Sequence, residues 1–384
     1  MMDRRFFVTG AAVTAATLGF APRLTFAKAA TDRRFLFIIQ RGGADGLHIV
    51  APVGDPAFAT QRGVLAEDFA AAPRLDSMFA LHPALSTLHG LYGAKEAMFV
   101  HAVASPYRDR SHFDAQNVLE SGGTSAYQLK DGWMNRMLGL LPGSEARAIA
   151  IASTVPLALR GTHEVTSYAP SRLPGAHEEL LQRVGTLYEG DNQLHGLWAE
   201  AMNTRSLVGD LGGDDSDNAA AAGALAARLL KPENGARLAM IETGGWDTHL
   251  QQRGRLKAQL KALDALVGGL KAGLGPLWAN TLIVVATEFG RTVRVNGTLG
   301  TDHGTATVAM LLGGAVNGGR VEADWPGLAD AALYENRDLK PTIGLDAVIG
   351  SAIAGHYDIL PNRAMAALFP DVQQARFMHD LVRA

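Results

Sequence analysis

Short, strongly apolar runs that end abruptly in glycine, acidic and histidine residues are the feature that most constrains how this chain folds. Three of them stand out: residues 34–46 (RFLFIIQRGGADG), 235–249 (GARLAMIETGGWDTH) and 281–292 (TLIVVATEFGRT). Apolar runs of this length, bounded by turn residues, are typical of buried strands. In open α/β sheets, ligands bind beyond the carboxyl ends of such strands. The pattern predicts strands that end around one site.

Segments with helical periodicity alternate with these runs. The clearest is 250–274, where Leu and Val recur at helical spacing. Further helices are predicted at 82–92, 174–205, 218–230 and 344–354, further strands at 97–103, 147–152, 157–159 and 305–313, and a solvated loop at 206–218. The β–α–β alternation predicts an α/β fold, a three-layer α/β/α sandwich around a mostly parallel sheet. No repeat or domain boundary is visible, so residues 30–384 are predicted to form a single domain.

The N-terminus has the pattern of an export signal. Arg4 and Arg5 precede two phenylalanines, an uncharged stretch covers residues 8–21, and Ala-Lys-Ala at 27–29 is a small-x-small cleavage sequence. The arginine pair and the weakly hydrophobic stretch favour a twin-arginine signal over residues 1–29, with an ordinary Sec signal as the alternative. The stretch is too short for a membrane helix, and no later run resembles one. We expect a periplasmic or secreted protein, exported by the twin-arginine machinery, with no stable membrane span after cleavage.

Composition narrows the chemistry. The chain has no cysteine, which excludes thiolate-bound zinc, iron–sulfur clusters and cysteine nucleophiles. A metal would have to be held by carboxylate and imidazole groups. The formal net charge is −3, and removal of a leader rich in Arg and Lys makes the remaining chain more acidic. No basic face is indicated, so we expect no nucleic-acid partner.

Carboxylate and imidazole side chains are concentrated at the ends of the predicted strands. Such groups are costly to desolvate unless they hold a metal, pair with each other or do chemistry. They predict a metal site, and we expect its ligands to converge in one pocket. The candidate ligands are Asp45, Asp247, His249, Glu288, Asp302 and His303. Taken alone, Asp45 between glycines is equally a turn residue.

The loop at 105–116 (SPYRDRSHFDAQ) leads into another predicted helix. Ser111 stands at its start, where a serine is either a helix cap or a nucleophile presented at a helix N-terminus. Arg108 and Arg110 are either a solvated charge cluster or groups that bind an anion. His112 is either a core histidine or an outer neighbour of the metal site.

These motifs together closely resemble the bacterial DUF1501 family, over essentially all of residues 30–384. That family is similar to a distant branch of the alkaline phosphatase superfamily, which includes sulfatases. The resemblance implies two divalent metals, with Asp45, Asp247, His249 and His303 as ligands and Ser111 as nucleophile. The sequence departs from the superfamily pattern at 288–289, where Glu-Phe replaces the usual Asp-His, and in the short Asp247–His249 spacing. Asp302 is the residue that would compensate for the lost histidine.

The implied function is an exported, metal-dependent hydrolase of phosphate or sulfate esters, acting on a small-molecule or polymer-linked substrate. One or two cations (Zn, Mn, Mg or Ca) would serve it. Ser111 would attack, and Arg108, Arg110 and Arg291 would neutralise charge on the transferred group. The departure at 288–289 favours an alternative, a catalytically inactive metal- or partner-binding protein of the same fold.

Overall fold

The computed structural model describes residues 32–142, 147–168, 219–232, 235–372 and 376–383, with isolated positions between 184 and 198. Its main feature is a nine-stranded sheet in the order β10-β4-β9-β8-β1-β7-β5-β6, with β11 also paired to β4. A small antiparallel pair, β2 and β3, lies apart from it. The strands are β1 Arg34–Gln40, β2 Val50–Ala51, β3 Ala80–Leu81, β4 Ala97–Ala104, β5 Ala148–Ile151, β6 Thr166–Ser167, β7 Leu238–Thr243, β8 Thr281–Ala286, β9 Thr307–Leu312, β10 Arg320–Glu322 and β11 Ile343–Gly344.

Helices cover both faces of this sheet. They are α1 Gly46–Ile49, α2 Phe58–Arg62, α3 Ser86–Gly93, α4 His112–Ser121, α5 Trp133–Leu138, α6 Ala219–Leu230, α7 Gln252–Leu274, α8 Leu345–Tyr357 and α9 Pro361–Leu368. Short 3₁₀ segments lie at Gly63–Phe69, Leu157–Leu159, Gly275–Asn280 and Asp330–Ala332. Among the residues described here, no helix is both long enough and apolar enough to cross a membrane.

The two faces of β1 show how the layers form. Phe35, Phe37 and Ile39 point into a core shared with α5, α8 and α9. Leu36 and Ile38 point the other way, into a core shared with α3, α6 and α7. Because successive side chains of a strand face opposite sides, a fully apolar strand has to be covered on both faces. The predicted three-layer α/β/α sandwich is confirmed.

Most predicted elements are found within a few residues of their expected bounds. Residues 157–159 are an exception, since they form a 3₁₀ turn instead of a strand. The helix expected from residue 82 begins only at Ser86, because Pro83 disfavours helical backbone at His82. The proposed signal at 1–29 and the expected elements over 174–205 and 206–218 lie almost entirely outside the described residues.

The direction of the strands places the predicted motifs at one edge. β1 pairs in parallel with both β7 and β8. β9 runs antiparallel to β8 and to β4, so the turn that precedes β9 lies at the same edge as the loops that follow β1, β4, β7 and β8. The segments 41–46, 105–111, 244–249, 287–292 and 301–304 therefore meet at the carboxyl edge of the sheet.

Buried histidines in this core are held in the neutral form. His101 accepts from the amide of Ala102 at 2.8 Å through Nδ1, and its Nε2 donates to the Val50 carbonyl at 2.9 Å. The ring of His356 donates to the Arg34 carbonyl at 3.0 Å. Burial lowers the pKa of His101 to about 4 and that of His356 to about 3.

These histidines make the fold sensitive to acid. In the unfolded chain their pKa is near 6.5, so below that pH the unfolded state binds protons that the native state refuses. Stability is therefore complete above about pH 6.5 and falls as the pH drops toward the folded pKa values. We expect each such group to cost up to about 2 kcal/mol at pH 5.

Urea unfolding at pH 7 and pH 5 tests this expectation. His356→Gln keeps a donor for the Arg34 carbonyl but does not titrate, so its loss of stability between the two pH values is expected to be smaller than that of the wild type. His89→Gln, at an exposed position, serves as the control. An unchanged pH dependence in His356→Gln would show that His356 is not one of the groups responsible.

Candidate metal centre

One buried arginine holds the loops at the carboxyl edge together. Arg291 Nε donates to the Gly43 carbonyl at 2.6 Å, Nη1 to that of Thr301 at 3.0 Å, and Nη2 to that of Gly42 at 2.6 Å. Nη2 also donates to the Trp246 carbonyl and pairs with the Asp247 carboxylate. The loops after β1, β7 and β8 and the turn before β9 all contact this guanidinium.

Glycine permits the close approach of these loops. Gly42 has a φ of +121°, and a Cβ atom there would lie 2.5 Å from the backbone nitrogen of Asp247. A Cβ on Gly304 would lie 2.4 Å from the carbonyl carbon of Arg291. Both positions therefore require glycine, since any side chain would push the loops apart.

Three imidazoles and one carboxylate converge where these loops meet. Asp247 Oδ1 lies 3.0 Å from His249 Nε2, 3.2 Å from His303 Nε2 and 3.6 Å from His112 Nε2. His249 Nε2 and His303 Nε2 are 2.9 Å apart. The side chains of Asp247 and His249 are 45% and 39% exposed, so the cluster opens to solvent on one side. A ligand from solvent therefore reaches the cluster on the side of Asp247 and His249.

The opposite nitrogen of each ring has an oxygen partner. His112 Nδ1 lies 2.8 Å from the Glu288 carboxylate, and His249 Nδ1 lies 3.2 Å from that of Asp302. His303 Nδ1 lies 3.0 Å from the backbone carbonyl of Arg110. Since these oxygens only accept, each Nδ1 carries the proton and each neutral ring keeps its lone pair on Nε2. Three lone pairs therefore face the Asp247 carboxylate.

The pKa values of the side chains in this cluster are shifted in different directions. The pKa of His112 is raised, chiefly by its hydrogen bond to Glu288. That of His303 is lowered by burial and by the charges of His112 and Arg291. Burial acts to raise the pKa of Asp247, but the Arg291 guanidinium and the nearby histidines outweigh it, so the pKa is lowered. A positive charge on His112 therefore disfavours protonation of His303, while the Asp247 carboxylate between the rings stays ionised.

A divalent cation fits this set of donors. Imidazole ligands about 2.0–2.1 Å from a tetrahedral zinc lie about 3.3 Å from each other, and the separations given above fall on both sides of that value. His112 Nε2 is buried with no hydrogen-bond partner. Carboxylate and carbonyl partners on the outer nitrogens are the usual support of metal-binding histidines. His112, Asp247 and His303 offer ligand atoms that all lie within 4.8 Å of one another, and His249 lies beside the last two of them. Together these residues suit Zn²⁺, and imidazole–carboxylate sets also bind other divalent transition metals.

Glu288 lies behind this cluster. Its buried carboxylate accepts from Gln116 and from the Gly42 amide, both at 2.9 Å, as well as from His112. Burial acts to raise the pKa of Glu288, but these hydrogen bonds outweigh it and the pKa is lowered. The adjacent Phe289 ring packs 4.8 Å from His112 and 4.9 Å from His303, centroid to centroid. Glu288 therefore orients a ligand, and Phe289 forms a wall against two of the rings.

Asp302 has the same relation to His249. Its carboxylate accepts from Asn296 at 3.0 Å, a hydrogen bond that lowers its pKa, and faces His249 Nδ1. The structure thus places Asp302 and Glu288, two predicted ligands, behind the ligating rings.

Asp45 lies outside the cluster. Its Oδ2 pairs with the buried guanidinium of Arg62 and accepts from Gln252 Nε2 at 2.6 Å. Burial acts to raise its pKa, but Arg62 and His48 outweigh this effect and the pKa is lowered. The expectation that Asp45 shares a ligand set with His303 is not met in this geometry, because an internal cation already neutralises the carboxylate.

Ser111 lies directly before His112, at the start of α4. Its side chain makes no capping hydrogen bond to the helix and interacts with the Tyr107 hydroxyl. Arg110 has a φ of +61°, which turns its carbonyl toward His303. The interpretation of Ser111 as a simple helix cap therefore has no support in the contacts of its side chain.

Arg108 and Arg110 point away from the four donor atoms, whereas Arg291 contacts one of them, the Asp247 carboxylate. Arg110 pairs with Asp338 at 2.8 Å and with Glu335 at 2.6 Å. Arg108 donates to the backbone carbonyls of Ser105 and Tyr107. The Arg291 side chain is fully buried, with every nitrogen engaged. In this conformation Arg291 holds loops and presents no donor to a substrate.

A second group of potential ligands, His48, Asp68 and His82, suits a cation less well. The amide of Ala84 donates to His82 Nδ1 at 3.0 Å, so the proton of that ring lies on Nε2. A metal at Nε2 would require the imidazolate. Asp68 already accepts from Arg253 at 2.6 Å. In the first cluster every Nδ1 donates a hydrogen bond, whereas here His82 Nδ1 accepts one. This difference makes the first cluster the better site for a cation.

His112 was predicted to be a core histidine or an outer neighbour of the metal site, with Ser111 as the functional residue of this segment. The structure places His112 Nε2 in the cluster itself. The sequence signal is the i, i+4 spacing of residues 112 and 116, which puts both side chains on one face of a helix. In the structure both contact Glu288.

The family described as "Protein of unknown function (DUF1501)" matches residues 32–359, as the motifs predicted. A comparison with curated proteins found no similar sequence.

Several solved structures are similar. The C-terminal periplasmic domain of EcEptC from Escherichia coli, in complex with Zn, is 12% identical over 74% of each chain, with a TM-score of 0.36. Ps i-CgsB in complex with k-i-k-neocarrahexaose is 12% identical over 87% of this chain and 74% of that one, with a TM-score of 0.43. Alkaline phosphatase from the Antarctic bacterium TAB5 is 11% identical over 77% and 95%, with a TM-score of 0.35. Similarity at this level says nothing about activity, which has to be inferred from the site itself.

Metal titration tests the ligand set. We expect His112→Ala to weaken the affinity for Zn²⁺ by more than the roughly 10–100-fold that loss of an outer partner causes, because a direct ligand is removed. Isothermal titration calorimetry on the metal-free protein gives the Kd. His89→Ala, an exposed histidine outside the cluster, is expected to bind like the wild type. Equal affinities in wild type and His112→Ala would remove His112 from the set.

Unfolding experiments test the buried ion pair of Asp45 and Arg62. Arg62→Met leaves the Asp45 carboxylate buried without its cation, and we expect a loss of about 3–5 kcal/mol in the free energy of unfolding. The double variant Asp45→Asn/Arg62→Met removes both charges and is expected to recover a large part of that loss. A single variant as stable as the wild type in urea would contradict this account.

Proposed function

The chain belongs to the DUF1501 family, and we propose that it is a metal-dependent hydrolase of phosphate or sulfate esters. The observation that carries the proposal is the convergence of three imidazole lone pairs on one ionised carboxylate, open to solvent, beside a serine at a helix start. This set suits a cation, and a cation that expands from four ligands to five would accept an oxygen atom of a further ligand from the solvent side. An ester of an oxyacid is such a ligand.

A divalent cation held by His112, Asp247, His249 and His303 would supply Lewis-acid stabilisation of negative charge on the ester. The orientation of these ligands is the work of the chain itself. Glu288 and Asp302 fix two of the rings, and the Arg110 carbonyl fixes the third. Rigid support of this kind limits the reorganisation needed during a reaction.

Ser111 is the proposed nucleophile. Its oxygen would form a bond to phosphorus or sulfur as the bond to the ester oxygen breaks, and the serine proton would end on the departing alcohol. Water would then displace the serine oxygen, releasing phosphate or sulfate and restoring the hydroxyl. The first amides of α4 have no partners within the helix and lie beside Ser111, where they would favour an anion.

The proposal includes export. The arginine pair at residues 4–5 and the cleavage sequence at 27–29 support passage through the twin-arginine machinery to the periplasm or beyond. That route carries folded proteins, which suits a chain that takes up its metal before export. Detection of a mature protein beginning at Ala30 in the periplasmic fraction, lost on Arg4→Lys/Arg5→Lys substitution, would support it.

A binding protein without catalysis is the second candidate. It is favoured by Phe289, which places an apolar ring where the superfamily pattern has a histidine. Metal content does not separate the two candidates, since both bind a cation. Turnover of aryl phosphate and aryl sulfate esters by the Zn²⁺-, Mn²⁺-, Mg²⁺- or Ca²⁺-loaded protein does.

Ser111→Ala is the decisive variant for the nucleophile. We expect ester turnover to be lost while metal content and Tm remain close to the wild type, because the hydroxyl makes no capping hydrogen bond whose loss would destabilise α4. Ser86→Ala, an exposed serine at the start of another helix, is the matched control. Full activity in Ser111→Ala would assign the attack to water. A metal-loaded wild type inactive on both ester classes would favour the binding protein.

A further inference from the structure

The family resemblance implies two metals, with Asp45 bound to one of them. The contacts of Asp45 in the structure do not fit that metal. The carboxylate of Asp45 is 1% exposed and already shares Oδ2 with two donors, Arg62 and Gln252. Arg62 is itself fully buried, and its Nη1 donates to the carbonyls of Thr292 at 3.2 Å and Val293 at 2.9 Å. The guanidinium is thus anchored at both ends.

A second cation would meet poor conditions here. It would have to bind Asp45 Oδ1, which is buried and has no hydrogen-bond partner, beside a guanidinium of the same sign. Like charges repel more strongly at this buried carboxylate than at Asp247, which also pairs with a guanidinium but is 45% exposed to solvent. Neither group of potential ligands found among the described residues includes Asp45.

Gln252 connects this buried pair to the metal centre. Its Nε2 donates to Asp45, and its Oε1 accepts from the hydroxyls of Thr248 at 2.9 Å and Thr301 at 2.5 Å. Thr248 lies between the ligands Asp247 and His249, and Thr301 lies two residues before His303. The network therefore touches both segments that supply ligands from the C-terminal half of the chain.

We infer that the centre is mononuclear and that Arg62 takes the place of a second metal, with Asp45 and Gln252 acting as positioning residues for the loops that carry the ligands. The inference depends on the cation proposed at His112, Asp247, His249 and His303, and it does not depend on ester hydrolysis. Its distinguishing consequence is a stoichiometry of one cation per chain.

Metal counting on the full chain tests the stoichiometry. Zn²⁺ or Mn²⁺ bound after dialysis is measured by elemental analysis, and the sites are located by anomalous scattering. We expect one equivalent in the wild type, and one equivalent in Asp45→Asn/Arg62→Met, where both charges of the pair are removed together. Two equivalents in the wild type that fall to one in the double variant would overturn the inference. No bound metal in the wild type would contradict the proposed centre as well.

Gln252 provides the test of positioning. We expect Gln252→Ala to retain one equivalent but to bind it roughly 10–100-fold more weakly, as for loss of an outer partner. Arg255→Ala, exposed on the same helix, is the control. Gln252→Glu places a second carboxylate against that of Asp45, and we expect this variant to lose metal affinity. In Asp45→Asn/Gln252→Glu the amide introduced at position 45 can donate to the carboxylate introduced at position 252, so we expect the double variant to recover affinity. Wild-type affinity in Gln252→Ala, or no recovery in the double variant, would refute the positioning role.

Discussion

The candidate site depends on the buried guanidinium of Arg291. Its hydrogen bonds reach the carbonyls of Gly42, Gly43, Trp246 and Thr301, and it pairs with Asp247. These groups belong to loops far apart in sequence, and each loop end leaves carbonyls that no strand partner satisfies. A buried acceptor without a partner is costly, and one planar cation satisfies several at once. The close approach of the loops follows from this shared donor.

Proton positions then decide what the loops can bind. In the first cluster, Glu288, Asp302 and the Arg110 carbonyl draw the proton of each ring to Nδ1, so the three Nε2 lone pairs point the same way. In the second, the Ala84 amide occupies His82 Nδ1 and sends the proton to the other nitrogen. Two groups of similar composition therefore present differently protonated nitrogens to a cation, and the difference lies in the neighbours of the imidazole rings.

Much of the fold was predictable because burial leaves a strong periodic signal. The strands β1, β7 and β8 and the helix α7 were expected near their observed bounds, since fully apolar strands and a long amphipathic helix have few other ways to fold. The turn at 157–159 was missed because three apolar residues are too few to show a period. Asp247, His249 and His303 were expected together because parallel strands end at one edge.

The roles of single carboxylates were harder to predict. Asp45 and Glu288 look alike in sequence, each shortly after an apolar strand and within two residues of a glycine, yet one pairs with Arg62 and the other orients His112. Arg62 is part of a short helix with no motif to mark it, and His112 lies in a segment whose serine and arginines were the predicted functional residues. The sequence by itself determined the sandwich, the edge at which the site forms, and the need for oxygen and nitrogen ligands in a chain without cysteine. Only the tertiary structure decided which carboxylate meets a guanidinium and which meets an imidazole, because that choice depends on side chains brought together from distant segments, and local patterns carry no record of such distances.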